Sequence, residues 1–235
     1  MELFFLESFD PRSDTAILSA DESHHAKRVL RKRSCDMLDL TDGKGHHLQG
    51  VIIEDARREL LIKITRREQV PFPPQNRIEV ALAVIRPNRM DWAVEKLTEL
   101  GVEKIVPVIC RYNSAKNVKV DHLRKICLSA LKQSEQFYLP QISAPLPLED
   151  WMEKISHSGG LRIMCHPDKT LPQVTSWPAD EQVCLAIGPE GGFHPDEIRA
   201  AKAYHFQSLN LGSTILRTET AAVAATTRIK MLANF

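Results

Sequence analysis

Ile187-Gly188-Pro189-Glu190-Gly191-Gly192-Phe193, followed one helix length later by Leu211-Gly212-Ser213-Thr214-Ile215-Leu216-Arg217-Thr218-Glu219-Thr220-Ala221, is the stretch on which the fold is decided. The first segment ends an apolar run, Val183 to Ile187, and leads to Pro195, Asp196 and Glu197, residues suited to the first turn of a helix running to about Tyr204. Three glycines in five positions let the backbone take positive φ and approach a ligand closely. The second segment repeats the plan, with a short apolar run, a glycine turn and a helix start flanked by Arg217 and Glu219. Glu219 there can serve the helix dipole, and Arg217 can pair with it. A sharp strand-to-helix turn explains either segment alone. Two in succession point to a ligand cradle. The first lacks the Gly-Lys-Ser/Thr ending of a nucleotide loop, is not GxGxxG, and has no serine for a nucleophile elbow.

Outward from these turns, strands and helices alternate. Ile78 to Ile85 is apolar except for Glu79. Trp92 to Leu100 places Ala93, Val94, Leu97 and Leu100 on one helical face before Gly101. Ile105 to Ile109, Leu161 to Cys165 and Leu209 to Leu211 read as further strands. Asp121 is placed to cap a helix carrying Leu123, Ile126, Cys127, Ala130 and Leu131, and Thr218 to Leu232 reads as a final helix. The alternation implies an α/β domain over residues 73–235 with a mostly parallel sheet. Such sheets bind ligands at the C-terminal ends of their strands, where both glycine turns fall.

Residues 1–72 read differently. Leu38 to Gly43 ends a strand in an Asp-Gly turn, and Leu48 to Ile53 and Leu60 to Thr65 are further strands, which suggests a small β-barrel. Val70-Pro71-Phe72-Pro73-Pro74-Gln75-Asn76 reads as an extended linker.

The 235 residues carry a net charge of +1, so no global basic surface marks a nucleic-acid binder. A local one exists in His24-His25-Ala26-Lys27-Arg28-Val29-Leu30-Arg31-Lys32-Arg33, suited to phosphate contacts or to the solvated face of a short helix. No run approaches a membrane span and the N-terminus lacks a secretory pattern, so cytoplasmic residence is expected. Five scattered cysteines without a CxxC pair give no zinc or disulfide pattern, and His24-His25 and His46-His47 lack a third ligand, so no metal is expected. Cys110, Cys165 and Cys184 read as small core residues, and Trp92 and Trp151 as packing residues on helix faces.

Together, "IGPEGGF" and "LGSTILRTETA" resemble the knot of the SPOUT methyltransferases, in particular the RsmE family. "RPNRMDWAVEKLTELGVEKIVPV", Arg86 to Val108, is similar to that family's basic turn, helix and strand, and "HHAKRVLR" to its PUA-like domain. Asn113-Ser114 and Lys132-Gln133-Ser134 fall at its other polar motifs. The resemblance covers nearly the whole chain. It departs at Lys132 and Gln136, where the family carries Glu and Arg.

The resemblance implies a PUA-like RNA-binding barrel and a trefoil-knotted SPOUT domain using S-adenosyl-L-methionine. It further implies methylation of uridine N3 in 16S ribosomal RNA, within an assembled or assembling small subunit, by a homodimer. Related knot enzymes act instead on a ribose hydroxyl or guanine N1, and a non-catalytic ribosome-associated factor could keep the fold. The cofactor is expected among the loops after Cys165, Ile187 and Leu211. Its residues would be His166, Leu185, Ile187, Gly188, Pro189, Glu190, Gly191, Gly192, Leu211, Gly212, Ile215, Leu216 and Thr218. Glu190 and Glu219 are candidate bases, and Arg217 is the candidate stabiliser of a uridine anion. Lys27, Arg28, Arg31, Lys32, Arg33, Arg86 and Arg89 are the expected RNA contacts. The small residues Ala221 to Ala225 suit a final helix that packs on its own sheet and on a partner.

Overall fold

The computed structural model describes residues 2–55, 58–113, 117–166, 171–174 and 181–232; Ser114, named above, lies outside them. Its contacts fall into two compact units, Met1–Phe72 with Leu128–Leu139, and Pro73–Cys127 with Pro140–Phe235.

In the first unit, β1 (Leu3–Phe5), β2 (Thr15–Leu18), β3 (Met37–Thr41), β4 (His46–Asp55) and β5 (Leu60–Gln69) form a sheet in the order β1-β3-β4-β5-β2. Only the β1–β3 pair is parallel. Alternation directs Leu38, Leu40, Leu48, Ile52, Leu60 and Ile62 into one core with Phe4, Leu6 and Leu18. The β3–β4 turn holds Gly43 at φ +70°, as its Asp-Gly signal requires. The basic segment opens with the short helix α1 (Ala20–His24), which runs into a π-helical turn, His25–Val29. Arg31 follows at φ +57°, ending the helical run before the rest of the cluster.

Lys132, one of the two departures, has a structural task in this unit. Its ammonium pairs with Glu22, which is buried and whose other oxygen accepts a hydrogen bond from the Phe5 amide at 3.2 Å. A carboxylate buried at that place requires a counter-charge, and here a lysine supplies it.

The second unit holds β6 (Ile78–Ala83), α2 (Pro87–Glu99), β7 (Lys104–Ile109), α3 (Val120–Gln133, in part), β8 (Gln141–Ile142), β9 (Leu146–Pro147), α4 (Leu148–Ser156), β10 (Leu161–Cys165), β11 (Val183–Ile187), α5 (Pro195–Ala203), β12 (Gln207–Ser208) and α6 (Thr218–Leu232). The strands pair in parallel in the order β12-β10-β11-β6-β7-β8, with β9 also on β7. Every residue of β6 and of β11 is buried, as expected of central parallel strands. The buried Glu79 in β6 is satisfied by the Trp151 indole N–H at 2.6 Å and by Lys104 at 2.9 Å.

Several expectations change. Residues 209–211 are not a strand; pairing stops at Ser208, and only the Leu209 amide continues to the Met164 carbonyl, at 3.0 Å. The proline stretch is not wholly extended, since Pro74–Asn76 makes a 3₁₀ turn. Helix α2 starts at Pro87, and Asp121 lies in the first turn of α3, paired with Arg124. Trp151 is buried as expected, but Trp92 is 43% exposed, on the side of α2 away from Met90, Ala93, Val94 and Leu97. Cys110 and Cys184 are core residues, whereas Cys165 is half-buried at a strand end.

Candidate active site

Three neighbouring strands, β12, β10 and β11, end side by side. Cys165 is in register with Ile187, and Met164 with Ser208. The loops leaving these strands therefore meet at one edge of the sheet, including both glycine segments. Between them lies a cleft of about 260 Å³. Its walls come from Cys165 and His166 after β10, from Ile187, Gly188, Pro189, Glu190, Gly192 and Phe193 after β11, and from 209–216 after β12; Thr218 and Ala221 of α6 close it.

The two glycine segments are tied to each other. The Thr218 hydroxyl donates to the Gly188 carbonyl at 2.9 Å. Gly192, at φ +73°, closes a tight turn in which its amide donates to the Pro189 carbonyl. Gly212 stands at φ +126°, its amide on the Asn210 side chain at 3.0 Å, and no atom lies within 4 Å of where a Cβ would project. Past the first loop, His194 takes the N-cap role usual for Ser or Thr. Its Nδ1 accepts from the Asp196 amide, while Glu197 reaches back to the His194 amide.

Arg89, in the first turn of α2, joins the charged residues. Its guanidinium contacts Glu190 of the first loop directly and lies 3.7 Å from Glu219 at the start of α6. Glu219 is only 12% exposed at its side chain, and its Oε2 is buried with no hydrogen-bond partner among the described residues. The arginine beside Glu219 is thus Arg89, not Arg217, whose exposed guanidinium makes no ion pair among the described residues. Arg89, an expected RNA contact, is engaged here by two acids. Arg86 is exposed at the N-cap of α2.

The cleft thus brings together His166, Ile187, Gly188, Pro189, Glu190, Gly192, Leu211, Gly212, Ile215, Leu216 and Thr218. It leaves out Leu185, which is buried within β11, and Gly191, whose missing Cβ would lie 3.1 Å from that of Tyr112. Phe193, Leu209, Asn210, Ser213, Thr214 and Ala221 also line it. Most of these stand inside the two segments quoted at the outset, so position alone marked them. Burial pushes the Cys165 thiol up to about 12, so it stays protonated and is no nucleophile near neutral pH.

The basic segment is a separate feature, within the first unit. Lys27 is paired with Asp55 at 2.6 Å and Lys32 donates to the Met37 carbonyl, while Arg28, Arg31 and Arg33 are exposed. Ala20, His24, Lys27, Arg28 and Arg58 line a hollow there; nothing in the sequence marked Arg58.

A family model described as an RNA methyltransferase domain matches residues 73–230, and one described as an RNA methyltransferase PUA domain matches residues 18–65. The chain belongs to this RNA methyltransferase family. The ribosomal RNA small subunit methyltransferase E of Rickettsia conorii is 27% identical over 227 residues, 94% of this chain and 91% of that one. The solved structure of a probable rRNA-methyltransferase from Porphyromonas gingivalis is 30% identical with a TM-score of 0.87, covering 100% of this chain and 99% of its own. That of the small subunit methyltransferase E of Neisseria gonorrhoeae, bound to S-adenosyl methionine, is 26% identical with a TM-score of 0.85, covering 99% and 98%. The RsmE resemblance read from the glycine segments is borne out by these family members, and the PUA-like reading by the second model. Among the described residues, no helix is long and apolar enough to cross a membrane.

Proposed function

We propose that this chain uses S-adenosyl-L-methionine to methylate N3 of a uridine in 16S ribosomal RNA of the small subunit, in the cytoplasm where ribosomes are built. The carrying observation is the cleft at the ends of three adjacent parallel strands, walled by two glycine segments that Thr218 ties together. It fits the cofactor on this structure's own terms. Gly212 leaves open space where a side chain would stand, and Ile187, Phe193, Leu209, Leu211 and Leu216 give apolar faces beside exposed loop backbone, as small-molecule sites require. The threading of α6 through a preceding loop, which the resemblance implies, belongs to the same reading.

When bound, the cofactor supplies a methyl group made electrophilic by its sulfonium. The chain's own part is orientation and charge. Arg217, exposed and without an ion pair among the described residues, would meet a uridine anion or a neighbouring phosphate. Glu190, half-exposed on the cleft wall, is the better placed of the two candidate bases, although Arg89 holds it. Glu219, 12% exposed at its side chain, is the more enclosed of the two. Arg28, Arg31 and Arg33 offer the first unit's phosphate contacts.

Purified protein, methyl-labelled cofactor and small subunits or their RNA provide the test, with digestion to nucleosides and mass analysis. The expected product is 3-methyluridine. A 2′-O-methyl nucleoside or 1-methylguanosine would select a related knot activity, and failure to bind the cofactor in calorimetry would select the non-catalytic factor. Neutralising Arg28, Arg31 and Arg33 together is expected to weaken RNA binding and flatten its salt dependence without changing cofactor affinity.

The reading includes a homodimer. Trp92 on α2, Met231 on α6 and Ile215 are apolar and 43%, 58% and 99% exposed. A second copy offers the same exposed apolar residues in return. Sedimentation equilibrium at micromolar concentration is expected to give a dimer; a monomer overturns this part.

A further inference from the structure

Arg89 is placed against its own helix. It is the third residue of α2, where the exposed amides of the first turn favour an acid, and that turn carries none. A cation there is not explained by the helix that carries it. What surrounds it is a pair of carboxylates from two other elements: Glu190, on the wall of the cleft, and Glu219, at the start of α6. Among the described residues Arg89 is the ion-pair partner of each, and the far oxygen of Glu219 is buried without a donor. Without Arg89, two acids would face each other, one of them enclosed and without a counter-charge.

These two acids belong to the two glycine segments that wall the cleft. Thr218 joins the segments by one hydrogen bond to the Gly188 carbonyl, and Arg89 joins them by charge, at Glu190, two residues beyond Gly188, on one side and at Glu219, next to Thr218, on the other. A guanidinium can serve two carboxylates at once because its N–H groups diverge in a fixed plane; a lysine ammonium is a single point charge on a flexible stem. Helix α2 packs on α6, so the guanidinium is carried on a fixed element.

We propose that Arg89 is a positioning residue of the cofactor site: by bridging Glu190 and Glu219 it holds the two glycine segments in the arrangement that binds S-adenosyl-L-methionine. The inference rests on the proposed cofactor reading of the cleft. It differs from a phosphate-contact role in what each would lose. A phosphate contact removed would weaken RNA binding and lower its salt dependence. A bridge removed weakens the cofactor and leaves the salt dependence of RNA binding alone.

The test is calorimetric titration of the full chain with S-adenosyl-L-methionine, with RNA affinity measured at several salt concentrations. Arg89→Met is expected to weaken cofactor binding about tenfold or more, because it leaves an enclosed carboxylate without its counter-charge. Arg89→Lys is expected to fall between it and the unaltered protein. The double variant Arg89→Met/Glu219→Gln is expected to bind no worse than Arg89→Met, because both changes break the same bridge. If Arg89→Met does not fold, the Arg89→Lys background with Glu190→Gln carries the test: one carboxylate matched to one ammonium is expected to recover affinity. Unchanged cofactor affinity in Arg89→Met or Arg89→Lys overturns the inference, as does a loss in either double variant that multiplies those of its single variants. A lower RNA salt slope with cofactor affinity intact assigns Arg89 to phosphate instead. Absence of cofactor binding by the unaltered protein overturns both this inference and the proposed function, whereas normal binding by it alongside normal binding by the variants overturns the inference alone.

Discussion

Replacing Gly212 by valine is expected to abolish detectable cofactor binding while leaving a folded protein. Two effects act together. At φ +126° the backbone lies in a region that residues with a Cβ rarely occupy, and holding one there costs about 1–3 kcal/mol. The loop is exposed and can relax to avoid that cost, but relaxing moves the backbone that borders the cleft. Should it hold its shape, the new side chain projects into space where no protein atom lies within 4 Å, the space proposed for the ligand. Either outcome removes the site, and a loss of about 100-fold or more corresponds to only some 3 kcal/mol. The melting temperature should barely change, because the site is a surface loop. Gly191→Val is an informative contrast. That glycine lies outside the positive-φ region and off the cleft wall, and its added Cβ would press on Tyr112 at 3.1 Å. A weaker, indirect effect is expected there. Calorimetry on both variants checks the ranking, and equal, near-normal affinities would remove the ligand from this cleft.

What the sequence made legible, and what it did not, follows from the range of each signal. Glycine and proline act through local backbone geometry, so the segments 187–193 and 211–221 announced themselves, and Thr218 to Leu232 is the helix their spacing predicted. Strand ends were harder. The apolar Leu209 to Leu211 reads as a strand by hydrophobicity, yet pairing ends at Ser208 because the chain turns at Asn210 into the cleft. Leu211 is apolar as part of the cleft wall. Trp92 carries a similar ambiguity: an apolar residue on a helical face reads as packing, yet it is 43% exposed. Charge pairing was least legible. Arg217 stands two residues from Glu219 and is its natural partner by sequence, but the pair is made by Arg89 from another helix. Nothing in a linear pattern encodes a contact set by the packing of α2 on α6. The counter-charge of Lys132 for Glu22 was hidden for the same reason.

Arg217, which does not pair with Glu219, is the arginine proposed to meet substrate, and its removal carries the last large expected effect. Arg217→Ala is expected to reduce turnover by roughly 100- to 1,000-fold, the range seen when a preorganised charge stabiliser is lost. The size follows from the chemistry of the proposed target. A uridine N3 carrying its proton is a poor nucleophile, so charge must develop on the base as the proton leaves, and a cation beside the uracil oxygens is worth most at that moment. Arg217 precedes α6 on the segment that walls the cleft, yet its side chain is exposed and the residue itself is not part of the lining. On the proposed reading it serves the incoming substrate more than the bound cofactor. That placement predicts a split: cofactor affinity changes by less than about threefold, whereas kcat/KM for RNA falls steeply. Glu190→Gln and Glu219→Gln separate the other roles. Glu190 stands on the cleft wall, so its variant should lower turnover beyond any loss of cofactor affinity from the Arg89 bridge; Glu219, enclosed beside Arg89, should act through cofactor affinity alone. Steady-state kinetics with small-subunit RNA, paired with calorimetry for the cofactor, measures both quantities on the same preparations. Full turnover in Arg217→Ala would move the charge stabilisation to another cation and leave Arg217 as a surface residue of a helix start.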